Sequence, residues 1–334
     1  MFFIVLTILL CICYCCFVMF LHRGWSLLLR QKPCQKTDVS VSVVMCHRNE
    51  PPSVLKSWYS VLDSQTRQVP RFVGDDDAWR VGKKEALRRL VSQATTDYCL
   101  FTDADVQVCR HWVEAVSEEI SEADLLLLPV SIDVSDSTGL WQSLWQRIQA
   151  LEFASLVGSG MAMCGNGRPI MCNGAGMAVK RTEWLQSWRD MHPEIPSGDD
   201  IFLLHSFKRR GLKIRYTTNL QTVVRTKPKQ TLSDFWRQRT RWTSKASAYT
   251  DFDTLTVAAF VAATNLLALL LLAKPIFFVV FWIFKSLADY SFLKKLHILY
   301  NYGYTLPLTM LINIFYPFYV VATAVAGMFR GKQW

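Results

Sequence analysis

The chain has 334 residues, of which 51% are hydrophobic, and its mean hydropathy is +0.16. This composition is too apolar for an ordinary soluble domain and indicates membrane segments beside a globular part. The formal net charge is +10, but the basic residues crowd the flanks of the apolar segments, which favours anionic lipid and a phosphorylated substrate over nucleic acid. Of the ten cysteines, Cys11, Cys13, Cys15 and Cys16 lie in the first apolar segment and the others form no CxxC pair, which argues against a disulfide framework or a zinc site and fits a reducing compartment.

The first apolar segment is predicted to be a retained transmembrane anchor over residues 1–21, followed by a juxtamembrane linker over 22–38. The run carries no charge and is long enough to cross a hydrocarbon core of roughly 30 Å as a helix. A cleaved signal peptide is the alternative, but no basic residue precedes the run and no small-x-small site follows it. By the positive-inside rule, the domain after the anchor is cytoplasmic. The basic residues that flank this domain are His22, Arg23, Arg30, Lys32, Lys36, Arg237, Arg239, Arg241 and Lys245.

Strands and helices alternate from residue 39 onward, a pattern typical of a doubly wound, mostly parallel sheet. Pro51 and Pro52 suit the first turn of a helix, and Gly82 begins a second helix with the sequence GKKEALRRL. Lys83 and Lys84 at its start either approach a phosphate or lie on a solvated face. The predicted strands are Val39–Met45, Arg71–Gly74, Tyr98–Phe101 and Ala123–Val130.

The following segment, Leu140–Val157, has the spacing of an amphipathic helix near the lipid boundary, with a core helix as the alternative. Residues Gly158–Gly176 are rich in Gly and Met and are predicted to be a loop that approaches a ligand before a strand begins. Residues 251–334 are predicted to form a C-terminal transmembrane region. The stretch after Pro275 is long enough to cross only if Lys285 snorkels or Asp289 finds a partner. The number of crossings is two or three, because the basic pairs Lys294-Lys295 and Arg330/Lys332 both compete to lie on the cytoplasmic side.

Two carboxylates, Asp103 and Asp105, directly follow the strand Tyr98–Phe101. At the carboxyl end of a buried strand, such a pair can hold a divalent cation against a diphosphate. A common Asp-x-Asp surface turn is the alternative.

A second acidic turn, Ser197-Gly198-Asp199-Asp200, precedes the apolar run IFLLHSF. One acid can cap the helix that begins there, and a carboxylate facing the metal pair can take the proton from an acceptor hydroxyl. Farther along, Gln238, Arg239, Arg241 and Trp242 fall within about one and a half helical turns. Arginine can bind a diphosphate through two parallel hydrogen bonds, and a basic interfacial helix is the alternative that this segment alone favours.

In this order, the elements VSVVMCHRNE, TDADV, NGAGMAV, SGDDIFLL and QRTRW resemble the family-2 glycosyltransferases. The resemblance implies an inverting enzyme with a GT-A fold, an α/β Rossmann-like domain with a mostly parallel sheet, over residues 39–225. It implies an amphipathic interfacial segment over 226–250 that carries the QxxRW motif. On this basis Asp103 and Asp105 bind Mg²⁺ or Mn²⁺, Asp200 is the general base, and Gln238, Arg241 and Trp242 contact the diphosphate and the acceptor end.

The remaining expected site residues follow from the same resemblance. The family's first strand usually ends in Pro where Cys46-His47 stands here, Asp199 replaces the Glu of the family's ED motif, and a helix and strand are missing between Asp77 and Gly82. The residues expected to bind the nucleotide sugar are His47, Glu50, Asp75, Asp76, Lys83 and Asp103. The residues expected at the acceptor or diphosphate are Asn173, Gly174, Asp199, Gln238, Arg239, Arg241 and Trp242.

The sequence therefore predicts a metal-dependent transferase that moves a sugar from a UDP- or GDP-sugar to a hydroxyl of a lipid or lipid-linked glycan. The resemblance is closest to bacterial members, which implies a multi-pass protein of the inner membrane with a cytoplasmic catalytic domain. A processive polysaccharide synthase and a non-catalytic nucleotide-binding scaffold are the alternatives. The oligomeric state is not indicated.

Overall fold

The computed structural model describes residues 1–31, 38–135, 139–300 and 305–329, with 297–300 described by their backbone. The predictions that involve Lys32, Lys36, Arg330 and Lys332 lie outside these residues. The chain divides into two compact units. The sheet unit comprises Leu28–Asp133 and Pro169–Lys227, and the helical unit comprises Met1–Leu27, Val134–Arg168 and Pro228–Gln333. The predicted globular domain over 39–225 is therefore interrupted, because residues 134–168 belong to the helical unit.

The sheet unit contains a six-stranded sheet with the order β2-β1-β3-β6-β4-β7. Neighbouring strands are parallel except at β6, which runs antiparallel to both β3 and β4. Strands β5 and β8 form a separate parallel pair. The strands are β1 Val41–His47, β2 Arg71–Asp75, β3 Tyr98–Thr102, β4 Leu125–Leu127, β5 Val130–Ile132, β6 Met177–Lys180, β7 Ile214–Tyr216 and β8 Val224–Thr226.

The predicted single strand Ala123–Val130 is wrong, because the chain forms β4 and β5 on either side of Pro129. Proline has no N–H to donate to a sheet ladder, so a strand ends readily beside it. The helices are α1 Phe2–Leu29, α2 Pro52–Asp63, α3 Lys83–Gln93, α4 Trp112–Ile120, α5 Leu140–Gly165, α6 Arg181–Gln186, α7 Asp199–Arg209, α8 Leu232–Thr243, α9 Phe252–Leu271, α10 Pro275–Tyr300 and α11 Leu306–Phe329.

The short connection after β2 has a direct effect on the sheet. Strand β2 pairs with β1 and is the outermost strand on its side. The chain then turns at once into α3, whose Ala86, Leu87 and Leu90 are buried. A Cβ atom on Gly74 would lie 2.5 Å from the Trp79 ring, so glycine lets the turn fold back tightly on the end of β2. The Trp79 ring thus packs directly beside Gly74 at the end of β2.

Among the residues that the structure describes, four helices are long and apolar enough to cross a membrane: Phe2–Leu29, Phe252–Leu271, Pro275–Leu296 and Leu306–Phe329. Three of them follow residue 251, in agreement with the larger of the two numbers that the sequence left open. The first helix continues to Leu29 instead of ending at Leu21, so the predicted linker over 22–38 begins with helix and then passes into residues outside the described ranges. Its extension carries Trp25, which is only 2% exposed, and buried packing favours further helix there.

The stretch after Pro275 was expected to form a long helix only if Lys285 snorkels or Asp289 finds a partner. In the structure, Asp289 has partners on three helices. Lys285 Nζ lies 2.6 Å from Asp289 Oδ2 and 2.9 Å from Asn313 Oδ1, and Tyr14 donates a hydrogen bond to Asp289. Asn313 Nδ2 also donates to Asp289 Oδ2 at 2.8 Å. These contacts link α1, α10 and α11 through polar groups, which in an apolar setting must find partners within the protein.

Helix α5 continues to Gly165, so the first part of the predicted loop Gly158–Gly176 is wrong. The glycines in this part serve helix packing. A Cβ atom on Gly158 would lie 2.2 Å from Leu296 Cδ1, and one on Gly24 of α1 would lie 1.9 Å from the Ala162 carbonyl oxygen. Small residues allow helix backbones to approach closely in membrane proteins. Near this crossing, Asn166 Nδ2 donates to the Phe20 carbonyl oxygen at 2.8 Å.

Candidate active site

The metal-binding candidates follow β3 at the carboxyl edge of the sheet. Strand β1 runs parallel to β3 with Met45 opposite Thr102, so the two strands end at the same edge. The Asp103 side chain is 41% exposed, and Asp105 is exposed. Ligands of α/β sheets bind outside the carboxyl ends of the strands, which is where these acids lie.

Lys83 brings a positive charge to this edge. It is the first residue of α3, and its Nζ lies 3.2 Å from Asp103 Oδ1. The Asp103 carboxylate raises the pKa of Lys83, and the carboxylates of Asp199 and Asp200 raise it further. Acids from two separate turns therefore act electrostatically on one ammonium group, and Asp103 is the one in direct contact with it. Lys83 is therefore charged at neutral pH.

The second acidic turn is held in place by glycine and by backbone donors. Gly198 has a φ of 86°, a left-handed conformation that glycine adopts without strain, and α7 begins directly after it. Asp200 Oδ1 accepts a hydrogen bond from the Ile201 N–H at 2.8 Å, and Oδ2 accepts one from the Gly174 N–H at 3.2 Å. Each carboxylate oxygen has two lone pairs, so both retain capacity to accept a proton. Asp199 is buried, and Asp200 is the more open of the two.

The Asn173 turn supplies the backbone beside these acids. Asn173 Oδ1 accepts from the Ala175 N–H at 3.0 Å, and the Asn173 carbonyl accepts from the Gly176 N–H at 2.9 Å. A Cβ atom on Gly174 would lie 3.5 Å from Asp199 Oδ2 and 3.9 Å from Asp200 Oδ2. The later part of the predicted loop thus borders the catalytic candidates, as expected from its composition.

The expected nucleotide-binding residues lie at the ends of β1 and β2. His47 Nδ1 is 3.9 Å from Asp75 Oδ2, and both residues end strands that are paired in register. Asp75 remains 32% exposed, whereas the Asp76 side chain is 6% exposed and accepts a hydrogen bond from Arg48 Nε at 2.9 Å. Asp76 is therefore engaged within the protein, and Asp75 is the better candidate to bind a base. Glu50 lies in the turn after β1 and is partly exposed.

Two cysteines near the acids were not singled out from the sequence. Burial raises the pKa of Cys46 to about 12, with a further contribution from Asp76. Burial, followed by Asp200 and Asp199, raises the pKa of Cys172 well above its usual value. Both thiols are therefore protonated at neutral pH and line the acidic edge as neutral groups. No sequence signal marks them, because neither belongs to a ligand-spacing motif.

Lys84 does not share the position of Lys83. It is 4% exposed, and its Nζ donates to the carbonyl oxygens of Met191 and His192 at 2.6 and 2.8 Å. Neither the phosphate contact nor the solvated face considered for Lys84 is correct. Adjacent helix residues face different directions, so one lysine reaches the acids and the other is buried.

In the helical unit, the QxxRW segment forms α8, which Thr231 caps by accepting from the Asp234 N–H at 3.1 Å. Arg239 is 3% exposed and forms a salt bridge with Glu152 of α5, which is 5% exposed. A guanidinium that is buried and paired in this way is not presented to a diphosphate. The expected diphosphate contact of Arg239 is therefore replaced by a structural role.

The other residues of the motif are less buried. Arg241 is exposed, and Gln238 and Trp242 are partly exposed. Arg239 Nη1 donates to Gln238 Oε1 at 2.5 Å, and its guanidinium carbon lies 4.2 Å from the Trp242 ring centroid. Arg239 thus contacts two of the three residues that the family resemblance assigns to the substrate.

The residues expected to hold a metal fit a hard divalent cation in donor type. Within residues 1–31, 38–135, 139–300 and 305–329, no group of three or more His, Cys, Asp or Glu side chains is arranged to hold a metal. Mg²⁺, however, is usually bound by one or two carboxylates together with water and substrate phosphates. Asp103 and Asp105 supply oxygen donors of this kind, so a metal bound there would need a substrate diphosphate and water as further ligands.

Comparison with known proteins supports the predicted fold. The model of glycosyl transferase family group 2 matches residues 99–329, more than half of the chain. The mannosyltransferase PcManGT from Pyrobaculum calidifontis, solved in complex with GDP-Man and Mn²⁺, is 15% identical, with a TM-score of 0.58 over 98% of this chain and 99% of that one. S. aureus TarS (1–349) is 13% identical, with a TM-score of 0.39 over 86% and 89% of the two chains. No curated protein matches the sequence significantly. The predicted α/β fold with a mostly parallel sheet is confirmed.

Proposed function

Because this chain belongs to glycosyl transferase family group 2, we propose that it transfers a sugar from a UDP- or GDP-sugar to a hydroxyl of a lipid or lipid-linked glycan, with inversion at the anomeric carbon. The observation that carries the proposal is the ion pair between Lys83 and Asp103 at the carboxyl edge of the sheet, with Asp199 and Asp200 close enough to raise the pKa of Lys83. Inverting transfer needs cationic groups beside the leaving diphosphate and a base for the acceptor hydroxyl. This edge of the sheet offers both.

Asp200 is the proposed general base. Its carboxylate takes the proton from the acceptor hydroxyl as the oxygen bonds to the anomeric carbon and the bond to the diphosphate breaks. The two backbone N–H groups that bind Asp200 hold the carboxylate in one orientation. Preorganisation of this kind lowers the barrier because the base does not have to be reoriented during the reaction.

Lys83, Asp103 and Asp105 are proposed to act on the diphosphate. Lys83 places its ammonium group where it can bind phosphate oxygens and remains charged when they arrive. Asp103 and Asp105 would hold a divalent cation, which supplies further positive charge against the leaving nucleoside diphosphate. The neighbouring mannosyltransferase contained GDP-Man and Mn²⁺, so GDP-mannose and Mn²⁺ are the first pair to test here.

The nucleoside is proposed to bind at the ends of β1 and β2, through His47, Glu50 and Asp75. Asp75 can accept hydrogen bonds from a base while its Oδ1 holds the turn by accepting from the Asp77 N–H at 2.9 Å. Asp76 is omitted from the proposal because Arg48 already binds it. Asn173 and Gly174 are proposed to border the sugar or the acceptor.

The acceptor is proposed to be a membrane lipid. The four apolar helices support this choice, because they would keep the chain at a bilayer. The basic flanks support a cytoplasmic catalytic domain, and the resemblance to bacterial members supports the inner membrane. Gln238, Arg241 and Trp242 are proposed to act on the diphosphate and the acceptor end, as the resemblance implies.

The test is a panel of UDP- and GDP-sugars incubated with purified membranes that contain the chain, followed by mass spectrometry of extracted lipids. We expect one donor to yield a lipid heavier by one sugar residue. A ladder of masses would instead indicate processive synthesis. Nucleotide binding without any new product from any donor would defeat the enzymatic proposal and favour the scaffold.

A further inference from the structure

Glu152 is a buried acid of α5 that lies outside every motif singled out in the sequence. Both of its carboxylate oxygens have partners in the helical unit. Oε1 accepts from Arg239 Nε at 3.1 Å and from the Tyr319 hydroxyl at 2.9 Å. Oε2 accepts from Arg239 Nε at 3.2 Å and from Arg239 Nη2. A single carboxylate therefore joins α5, α8 and α11.

The Arg239 guanidinium that Glu152 holds has two further functions. Its Nη1 donates to Gln238 Oε1 at 2.5 Å, which leaves the NH₂ group of that amide oriented away from the guanidinium. Its flat face covers the Trp242 indole at 4.2 Å, and the Phe235 ring lies 4.5 Å from the guanidinium carbon. Arginine can do this because its donors form a rigid planar fork that also stacks on aromatic rings.

We propose that Glu152 is a positioning residue for the QxxRW motif and that it acts through Arg239, which fixes the Gln238 amide and the Trp242 indole. The inference rests on the proposed function, which assigns Gln238 and Trp242 to the substrate. The residues of the motif then have different functions. Arg239 holds the motif in place from within, whereas Gln238 and Trp242 contact the substrate. The Tyr319 hydroxyl completes the arrangement by donating a second hydrogen bond to Oε1 of Glu152.

The test compares the same substitution at two arginines of α8. Arg239→Lys keeps the charge but cannot bind Glu152 and Gln238 while stacking on Trp242. Arg237→Lys is the matched control, because Arg237 is 67% exposed and pairs with Asp234 on the helix surface. We expect Arg239→Lys to lower kcat about 100-fold with donor KM within about threefold, because a small displacement of a substrate-binding group has an effect of this size. Arg237→Lys should leave both constants unchanged.

A second readout does not depend on transfer. In protein labelled with 5-fluorotryptophan, the ¹⁹F resonance of Trp242 is assigned by its loss in Trp242→Phe. We expect this resonance to shift or broaden in Arg239→Lys and in Glu152→Gln, and to stay in place in Arg237→Lys. A resonance that is unchanged in Arg239→Lys would overturn the inference, as would an equal loss of kcat in the two lysine variants. If the wild-type chain transfers no sugar, the proposed function fails, and the Trp242 resonance then decides the positioning role alone.

Discussion

Two ion pairs, one in each unit, show how differently the same chemistry is used. Lys83 and Asp103 in the sheet unit are 37% and 41% exposed, and their single contact is 3.2 Å long. Arg239 and Glu152 in the helical unit are 3% and 5% exposed and share several hydrogen bonds. An exposed pair exchanges partners readily because water screens its attraction, whereas a buried pair leaves an uncompensated charge when it breaks.

The comparison teaches that an arginine in a substrate motif and a lysine at a helix start cannot be assigned from their charge alone. The first pair is open and surrounded by additional acids, so a diphosphate or a cation can replace one partner. The second pair is buried and inaccessible to a ligand, so its role is to fix the side chains of α8. Four experiments test this contrast and the roles assigned to the residues on either side of it.

Substitution of the proposed base should have the largest effect. Asp200→Asn removes the proton acceptor and keeps one of the two hydrogen bonds from the Ile201 and Gly174 N–H groups, because the amide has a single accepting oxygen. We expect kcat to fall about 1,000-fold, within the range measured for general bases, while nucleotide affinity remains unchanged by calorimetry. Asp63→Asn, at a carboxylate that is 69% exposed in a surface ion pair, is the matched control. A fall of less than threefold in Asp200→Asn would remove this residue from its assigned role.

Metal removal should have the next largest effect. EDTA is expected to lower transfer at least about 100-fold, because charge on the leaving diphosphate is then less well compensated. Mg²⁺ or Mn²⁺ should restore the rate, and Asp103→Asn should raise the cation concentration needed for half-maximal rate. Full activity in EDTA would contradict the metal assignment, and Lys83 would then be the main cationic group at the edge of the sheet.

Removal of one partner of the buried pair should lower stability. Glu152→Leu leaves the Arg239 guanidinium without its carboxylate, and we expect a loss of about 3–5 kcal/mol in unfolding free energy. Asp63→Leu breaks an exposed pair and should change it by about 0–1 kcal/mol. Thermal unfolding in detergent measures both. Equal shifts in Tm for the two variants would show that burial does not separate these ion pairs.

The smallest effect concerns the thiol beside the acids. Because burial raises the pKa of Cys46 to about 12, about one Cys46 in ten thousand is a thiolate at pH 8. Iodoacetamide at pH 8 should therefore modify the exposed Cys109 and leave Cys46 intact in the folded protein, as measured by peptide mass spectrometry. Modification of Cys46 at the rate of Cys109 would show that this strand end is more open than the structure indicates.

The sequence predicted the sheet unit well where local signals are strong. The β-branched run before Cys46, the Pro51-Pro52 pair and the glycine before Lys83 each act within one element, and the observed β1, α2 and α3 follow them closely. The acids were also placed by local signals: Asp103 and Asp105 follow the end of β3, and Asp199 and Asp200 begin α7. What the sequence could not supply was which of two adjacent residues is buried, as Lys83 with Lys84 and Asp75 with Asp76 illustrate.

The helical unit was harder to predict because its organisation depends on contacts between distant segments. Gly158 was assigned to a loop, since glycine disfavours helix in isolation, yet its missing side chain accommodates Leu296. Glu152 belongs to no sequence motif, and its role depends on contacts with Arg239 and Tyr319, which are distant from it along the chain. The length of α1 was underestimated because Trp25 and Leu28 are buried by tertiary packing.

The contact between Gly24 and the Ala162 carbonyl has a practical meaning for anyone who prepares this protein. Investigators often delete an N-terminal hydrophobic helix to obtain a more tractable sample, on the assumption that it is only a tether. Here that deletion would expose one face of α5 and remove the Phe20 carbonyl oxygen that accepts a hydrogen bond from the Asn166 side-chain amide. Loss of activity in such a shortened sample would then report a damaged scaffold instead of a missing attachment to the bilayer.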